Sequence, residues 1–280
     1  MKNKVWYVTG ASKGLGLSLV KRLLQQGYNV AATSRTVAQL EKAVNADRSS
    51  FLPLQVDIND ENSVEKSIKA TVDHFGSIDI IVNNAGYGQV GALEELTDAE
   101  SRKNFDVNVF GMLNVIRKAM PYLRKQQSGH FLNIASIGGF TGTFPGFGIY
   151  LATKFAVHGL SESLATEAKP FGINVTVVSP GYFRTDFLDS SSLQVPQHEI
   201  AEYKNVRAAQ ALHQDDYNHN QAGDPDKAAD VMIEVTLMQQ PPMHLFLGQD
   251  AYNLAEAKIQ AVKQDMAQLT ELATATAFAE

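Results

Sequence analysis

The sequence predicts an α/β protein in which helices cover both faces of a doubly wound parallel sheet of about seven strands, in a single domain over residues 1–280. Three observations lead to this prediction. Short runs rich in β-branched residues alternate with longer helical patterns. These runs are almost continuously apolar, as strands covered on both faces must be. A length of 280 residues fits one α/β domain.

The predicted elements alternate strictly for the first two-thirds of the chain. The strands are residues 4–8, 28–34, 51–56, 78–82, 129–135, 173–178 and 243–247, and the helices are 15–26, 37–46, 60–75, 98–127, 149–168, 224–239 and 249–270. In the first helix, Leu15, Leu19 and Leu23 share one face, and Gly27 stops it. Thr97 and Glu100 form a capping-box pattern at the start of helix 98–127. Strand–helix alternation at this spacing implies right-handed crossovers.

Residues 183–222 interrupt this alternation. They are rich in Asp, Ser, Gln, Asn and His and show no clear period. We expect a mobile, partly helical segment that lies over a site as a substrate lid.

Composition excludes several classes of protein. The chain has no cysteine, which removes disulfides, thiolate nucleophiles and cysteine-based metal sites. A net charge of −6 without a basic block argues against binding nucleic acid or anionic membranes. The apolar run after Lys4 stops at Thr9, which is too short for a signal peptide, and no window of 18 apolar residues suggests a membrane span. We therefore expect a cytoplasmic protein.

Glycines mark the turn between the first strand and the first helix, in the segment Thr9–Gly16. Gly10 permits a sharp turn, Gly14 lets a pyrophosphate approach the backbone, and Gly16 lets helix and strand pack closely. The helix N-terminus offers free N–H groups to an anion. The alternative is a purely structural glycine turn. The predicted cofactor-binding residues of this segment are Gly10, Ser12, Lys13, Gly14, Leu15 and Gly16.

The end of the second strand favours NADP(H) over NAD(H). NAD sites carry an acidic residue there for the ribose 2′-hydroxyl, but residues 32–36 contain no carboxylate. Arg35 can pair with a 2′-phosphate, and Lys13 lies nearby. The alternative is that Arg35 is a solvated surface residue.

Tyr150 and Lys154 stand four residues apart, on one face of a predicted helix. A free Tyr has a pKa of about 10 and exchanges its proton poorly near neutral pH. An ammonium group about 4 Å away lowers that pKa by roughly three units at most. Tyr150 would then be a usable acid or base. The pair alone is weak evidence, because such spacing is common on protein surfaces.

Together these motifs resemble the short-chain dehydrogenase/reductase family, with a Rossmann-like fold. The resemblance covers residues 4 to about 186. It is carried by Thr9–Gly16, by the Asn-Asn-Ala-Gly segment at 83–86, by Asn108, Ser136, Tyr150 and Lys154 in order, and by Pro180, Gly181 and Thr185. It implies hydride transfer between a nicotinamide cofactor and a carbonyl or alcohol.

The resemblance implies a catalytic role for four residues. Tyr150 would donate a proton to the carbonyl oxygen, and Ser136 would polarise that oxygen. Lys154 would bind the nicotinamide ribose and lower the pKa of Tyr150. Asn108 would hold a water that relays protons to Lys154. The alternatives are a turn cap for Ser136 and an ordinary buried amide for Asn108.

Further cofactor contacts follow from the same resemblance. Asp57 would meet the adenine amino group, unless it is only a helix cap. Asn84, Ala85 and Gly86 would line the adenosine ribose. Thr185 and the backbone of Pro180 and Gly181 would hold the carboxamide; Tyr150 and Lys154 complete the cofactor-binding set.

Apolar stretches on either side of the predicted nicotinamide site suggest a pocket for an apolar carbonyl or alcohol. Three phenylalanines lie between Ser136 and Tyr150, at 140, 144 and 147, although packing of the loop against the core explains them equally well. The predicted pocket residues are Gly138, Phe144, Phe147, Tyr182 and Phe187.

Residues 213–219 contain two His and two Asp, the ligand types of a metal site, but the proposed chemistry needs no metal and we predict none. The sequence therefore predicts an NADP(H)-dependent oxidoreductase that interconverts a ketone or aldehyde and an alcohol. The alternative is a catalytically silent protein that senses NADP. The resemblance also suggests a homodimer or homotetramer formed through helices 98–127 and 149–170.

Overall fold

The computed structural model describes residues 4–278 and confirms the predicted architecture. The strands are β1 (Val5–Val8), β2 (Asn29–Ser34), β3 (Phe51–Gln55), β4 (Ile80–Asn83), β5 (Gly88–Gln89), β6 (Gly129–Ile134), β7 (Ile173–Pro180), β8 (Leu193–Gln194) and β9 (His244–Leu247). The α-helices are α1 (Gly14–Gln25), α2 (Val37–Val44), α3 (Glu61–Phe75), α4 (Asp98–Phe105), α5 (Gly111–Gln126), α6 (Gly148–Ala168), α7 (Lys204–Ala211), α8 (Pro225–Leu237) and α9 (Gln249–Thr274).

Seven strands form one parallel sheet in the order β3-β2-β1-β4-β6-β7-β9. The strand order reverses between β1 and β4, so the connections after these two strands diverge to opposite sides. In open parallel sheets, ligands bind at the carboxyl ends of the strands at such a switch point.

The sheet is covered on both faces, as the continuous apolar strands require. Trp6 and Tyr7 are neighbours in β1 and point to opposite faces, each fully buried in a different core cluster. The cluster around Trp6 includes residues of α1 and α8, and the one around Tyr7 includes residues of α3, α5 and α6. This two-sided core fixes the positions of the strand ends that form the site.

The structure differs from the predicted elements in three places. Helix 98–127 begins with the expected capping box of Thr97 and Glu100, but a π-helical turn, Asp106–Phe110, separates α4 from α5. A second, two-stranded sheet pairs β5 with β8 and ties the 183–222 segment to the body. The last helix continues to Thr274, beyond the predicted end at 270.

Residues 183–222 contain a 3₁₀ turn at Asp186–Leu188, strand β8, helix α7 and a π-helical turn at Leu212–Tyr217. The expectation of partial helix is therefore confirmed. Across the described part of the chain, we find no helix that is both long and apolar enough to cross a bilayer.

Candidate active site

A cleft of about 600 Å³ opens along the carboxyl ends of the strands. It brings together nearly all residues that the sequence singled out. These are Gly10, Ser12, Lys13, Gly14, Leu15, Arg35, Asp57, Asn84, Ala85, Gly86, Ser136, Gly138, Phe144, Phe147, Tyr150, Lys154, Pro180, Gly181, Tyr182, Thr185 and Phe187. Gly16 and Asn108 do not line the cleft; they lie behind it.

The glycine turn has the geometry that its sequence predicts. Gly10 and Gly14 have φ of +64° and +60°, a region that favours glycine. A Cβ on Gly16 would lie 2.4 Å from Nδ2 of Asn84, so only glycine fits there. Helix α1 has no side-chain cap among the described residues, which leaves its first N–H groups free for an anion.

Asn84 braces this turn. Its Nδ2 donates to the carbonyl oxygens of Thr9 at 2.8 Å and Gly10 at 3.0 Å, and its own N–H donates to Thr9 Oγ1. The side chain thus joins the end of β4 to the end of β1. The ribose contact that the resemblance implied for Asn84 stays a prediction, while the bracing contacts are what the structure shows.

Two residues flank the far end of the cleft. Arg35 follows β2, is exposed and lines the cleft together with Thr33 and Ser34. Asp57 lines the cleft from the end of the neighbouring strand β3. The carboxylate of Asp57 accepts from the N–H of Asn59 at 3.0 Å. The cap of α3 is Asp60 instead, so the helix-cap alternative for Asp57 is wrong.

Ser136, Tyr150 and Lys154 converge at the other end of the cleft. Ser136 follows β6, and its Oγ accepts from the N–H of Gly138 at 3.1 Å. It is therefore a turn cap as well as a cleft residue. Tyr150 and Lys154 lie one turn apart on α6, both buried, with Nζ 5.8 Å from the centroid of the Tyr150 ring. Nζ donates to the carbonyl oxygen of Ile134 at 2.9 Å.

Burial dominates the electrostatics of this pair. It raises the pKa of Tyr150 to about 12, and the Ser136 hydroxyl lowers it only in part. Burial also lowers the pKa of Lys154 to about 8. The expectation that Lys154 brings the pKa of Tyr150 below its ordinary value is therefore wrong in this structure, because the loss of solvation on burial outweighs the favourable contacts of the hydroxyl.

Asn108 occupies the π-helical turn and is buried, with its amide engaged by protein atoms. Its Oδ1 accepts from the N–H of Tyr87 at 3.0 Å, and its Nδ2 donates to Tyr87 O at 3.0 Å and Thr153 Oγ1 at 3.1 Å. A Cβ on Gly86 would lie 3.0 Å from Oδ1 of Asn108 and 3.5 Å from Nζ of Lys154. Asn108 and Lys154 therefore both pack closely against this glycine. π-Turns inside helices often occur at functional sites.

The loop after β7 depends on a residue that the sequence analysis missed. Asp250, in the first turn of α9, accepts from the N–H of Tyr182 through Oδ2 at 2.7 Å. A Cβ on Gly181 would lie 2.1 Å from the same oxygen, so glycine is required for this contact. Asp250 is separated from the loop by 68 residues, and no local pattern announces the pairing.

The pocket beside Tyr150 is largely aromatic. Phe187 packs 5.8 Å from the Tyr150 ring, and Phe147 packs 4.7 Å from the ring of His213. The hydroxyl of Tyr182 lies 2.8 Å from Nε2 of His213. Because Nδ1 of His213 faces the carbonyl oxygen of Ala209 at 2.6 Å, the neutral ring donates there and accepts from Tyr182.

Two possibilities that the sequence left open on this side do not match the geometry, namely a pocket position for Phe140 and a metal site at 213–219. Phe140 does not face the pocket; it packs on Phe246 at 5.1 Å and on His158 at 6.0 Å, against the start of α9. The ligand types at 213–219 do not converge on one point either. His213 is bound to Tyr182 inside the pocket, whereas His219 faces Asp189 at 3.2 Å.

A buried carboxylate anchors the 183–222 segment. The Glu95 side chain is fully buried and accepts from Ala92 N at 2.7 Å, Ile200 N at 2.8 Å and Arg207 Nη2 at 2.6 Å. Arg207 also contacts Glu199 at 2.6 Å. Near the glycine turn, Nζ of Lys13 donates to Ser191 Oγ at 2.8 Å, so the segment touches both ends of the cleft.

Comparison with known proteins supports the geometry. A family model described as short chain dehydrogenase matches residues 4–195. A 3-ketodihydrosphingosine reductase of Bacteroides thetaiotaomicron is 33% identical over 250 residues, 89% of each chain. The crystal structure of a short-chain dehydrogenase from Streptomyces avermitilis is 34% identical with a TM-score of 0.90, covering 98% of this chain and 100% of that one. A 3-ketoacyl-(acyl-carrier-protein) reductase from Brucella melitensis, solved with NADH, is 26% identical with a TM-score of 0.72, covering 87% and 96%.

Proposed function

The chain belongs to the short-chain dehydrogenase family and is an oxidoreductase of that type, and from this premise we propose that it interconverts a ketone or aldehyde and an alcohol with NADP(H). One observation carries the proposal. Ser136, Tyr150 and Lys154 meet at one end of a cleft whose other end is a glycine turn with free helix N–H groups. This combination provides an acid beside a place for a dinucleotide.

The cleft suits a dinucleotide along its whole length. Uncapped N–H groups at α1 and the left-handed Gly10 and Gly14 suit a pyrophosphate. Pro180, Gly181 and Thr185 line the end next to Tyr150, where we assign the carboxamide. When bound, the reduced nicotinamide supplies the hydride.

We assign NADP(H) as the preferred form. One relative was solved with NADH, so the comparison does not by itself favour NADP(H). We infer the preference from the residues of this chain. Here an exposed Arg35 stands where NAD sites carry a carboxylate, and Lys13 lies in the glycine turn. Both cations favour a 2′-phosphate.

The side chains support proton transfer in the direction of reduction. A pKa of about 12 keeps Tyr150 a neutral phenol at neutral pH, so its hydroxyl has a proton to donate to the substrate oxygen. Ser136 already accepts from Gly138, so its own O–H is left to polarise the same oxygen. With a pKa of about 8, Lys154 is mostly charged at pH 7, and its charge favours the phenolate that Tyr150 becomes. We place Asn108 behind Lys154, as the residue that positions the proton relay.

We assign an apolar carbonyl or alcohol as the substrate. Phe144, Phe147 and Phe187 surround the approach to Tyr150, and a polar edge comes from Tyr182 and His213. The likeness to a reductase of 3-ketodihydrosphingosine agrees with an apolar ketone. We further propose that residues 183–222 act as the lid of this pocket, since the segment contributes Phe187 and His213 to the cleft wall.

The decisive experiment follows NADPH absorbance with the purified chain and a panel of apolar ketones and aldehydes. We expect turnover by the wild type and a loss of at least about 100-fold in kcat for Tyr150→Phe, because the general acid is removed while the ring is kept. The matched control is Tyr122→Phe, on α5 away from the cleft, which should leave kcat unchanged. Tight NADPH binding without turnover of any carbonyl or alcohol would overturn the proposal and favour an NADP sensor.

A further inference from the structure

Two histidines and one glutamate meet between α6 and the start of β9. His158 and Glu162 are four residues apart on one face of α6, and His244 is the first residue of β9. One ring nitrogen of each histidine and one carboxylate oxygen all lie within 4.8 Å of one another. We call these three residues the histidine cluster. It is separate from the cleft, because none of the three lines it.

The spacing within the histidine cluster suits a shared metal ion better than a hydrogen bond. Nε2 of His244 lies 3.8 Å from Oε1 of Glu162, which is too long for a hydrogen bond. Two ligand atoms of a tetrahedral zinc ion, each about 2.1 Å from the metal, are about 3.4 Å apart. Both side chains are exposed, so small rotations bring their ligand atoms to that spacing.

The buried member of the cluster is held by a contact on its far side. His158 is 6% exposed, and its Nε2 lies 3.0 Å from Oγ of Ser179 in β7. This contact leaves Nδ1 as the ring nitrogen available to a metal. Histidine ligands usually donate their other N–H to a neighbouring group, which fixes the ring and makes the ligating nitrogen more basic. Ser179 is placed to give His158 this support.

Aromatic rings cover one side of the cluster. The ring centroid of Phe140 lies 6.0 Å from that of His158 and 5.1 Å from that of Phe246. Phe246 stacks in turn on His244, with centroids 6.5 Å apart. Apolar surroundings limit the access of water and strengthen the attraction between a cation and the carboxylate of Glu162. The exposed sides of Glu162 and His244 leave an entry path for the ion.

We propose that the histidine cluster binds one Zn²⁺ ion, with water as the fourth ligand, and that the ion clamps β9 to α6. Two imidazoles and one carboxylate are a known ligand set of zinc. Mg²⁺ and Ca²⁺ prefer oxygen ligands and suit the cluster poorly. Because β9 is an edge strand and α6 carries Tyr150 and Lys154, the clamp joins the edge of the sheet to the helix of the candidate active site. The site does not depend on the activity proposed above.

The first test is isothermal titration calorimetry with ZnCl₂ on the untagged full chain, after treatment with EDTA and dialysis. We expect one Zn²⁺ per chain with a Kd of about 1 µM or tighter, unchanged by excess Mg²⁺. His244→Ala and Glu162→Gln should each raise Kd by at least about tenfold, because each removes a ligand. The matched controls are His74→Ala and Glu167→Gln, an exposed histidine and an exposed glutamate outside the cluster. No binding at 100 µM Zn²⁺, or an unchanged Kd in His244→Ala, overturns the proposal.

Cobalt gives a spectroscopic test of the ligands. Co²⁺ in a tetrahedral site absorbs visible light, and we expect this absorption in the wild type, its loss when Zn²⁺ is added, and its absence from His244→Ala. Ser179→Ala keeps all three ligands and should weaken Zn²⁺ binding by about tenfold or more, whereas the exposed Ser163→Ala should not. Absorption that persists in His244→Ala would place the metal elsewhere and refute the site.

Amide hydrogen exchange tests the clamp itself. Saturating Zn²⁺ should slow exchange in residues 243–247 of the wild type, because opening of β9 then requires the loss of a ligand. His244→Ala should show no such slowing. Stoichiometric Zn²⁺ binding that leaves the exchange of β9 unchanged would contradict the clamp.

Discussion

Removing the charge of Glu95 should release the 183–222 segment from the body. The carboxylate is fully buried and accepts from Ala92 N, Ile200 N and Arg207 Nη2. In Glu95→Gln one of the two oxygens becomes an N–H₂ that faces at least one of these donors, and the half-exposed Glu199 is then the remaining ion-pair partner of Arg207. Breaking a buried ion pair on one side costs about 3–5 kcal/mol. At 1.4 kcal/mol per factor of ten, local opening should increase by at least about 100-fold.

Amide hydrogen exchange followed by mass spectrometry measures this opening directly. We expect faster exchange in residues 200–211 of Glu95→Gln, while peptides from β1 and β4 keep their protection. The control is Glu199→Gln, which removes the exposed partner of Arg207 and should change exchange by about fivefold or less, since exposed ion pairs contribute at most about 1 kcal/mol. Equal effects of the two variants would refute the reasoning that Glu95 is the anchor.

Three further predictions concern the cleft. Arg35→Asp restores the carboxylate of an NAD site, so kcat/KM with NADH should rise about tenfold or more relative to NADPH; an unchanged ratio would remove Arg35 from the cofactor site. Gly16→Ala puts a Cβ 2.4 Å from Nδ2 of Asn84 and should weaken NADPH binding by about tenfold or more in a fluorescence titration. The control Gly159→Ala places its Cβ in open space and should leave the affinity unchanged. Equal affinities of the two variants would contradict the close packing at Gly16. Burial lowers the pKa of Lys154 from 10.5 to about 8, so between these pH values the unfolded chain binds more protons and stability rises with pH. Lys154→Met should lack this rise in urea titrations at pH 8 to 10.5, and an identical slope would show that Lys154 does not cause it.

The parts of the fold that were predictable are those with a local signal. Apolar runs and glycine stops placed the seven strands of the main sheet within a few residues, and Thr97 with Glu100 marked the start of α4 correctly. The glycine turn and the Tyr150–Lys154 spacing were visible because neighbouring residues form them. The two-residue strands β5 and β8 were missed, since two residues show no period.

Other features depend on burial and distant contacts, which a single sequence does not show. The pKa of Tyr150 was predicted to fall because only the neighbouring charge was counted; the structure shows that desolvation is larger. Glu95 looked like any surface carboxylate, and its partners at 200 and 207 lie about a hundred residues away. The π-turn around Asn108 was missed because the helical pattern of 98–127 continues through it, and Gly111, which follows the turn, reads in the sequence as an isolated glycine inside a helix.

Asp250 gives the orientation of α9 a direct effect on the cleft. Its carboxylate bonds to the backbone of Tyr182, in the same loop as Thr185, and it stands at the base of a helix that continues about 36 Å to Thr274. A tilt of that helix by a few degrees moves its tip by several ångströms and shifts the hydrogen-bonded backbone at its base by tenths of an ångström. The remote tip is therefore a place where a spectroscopic label would magnify small motions of the loop.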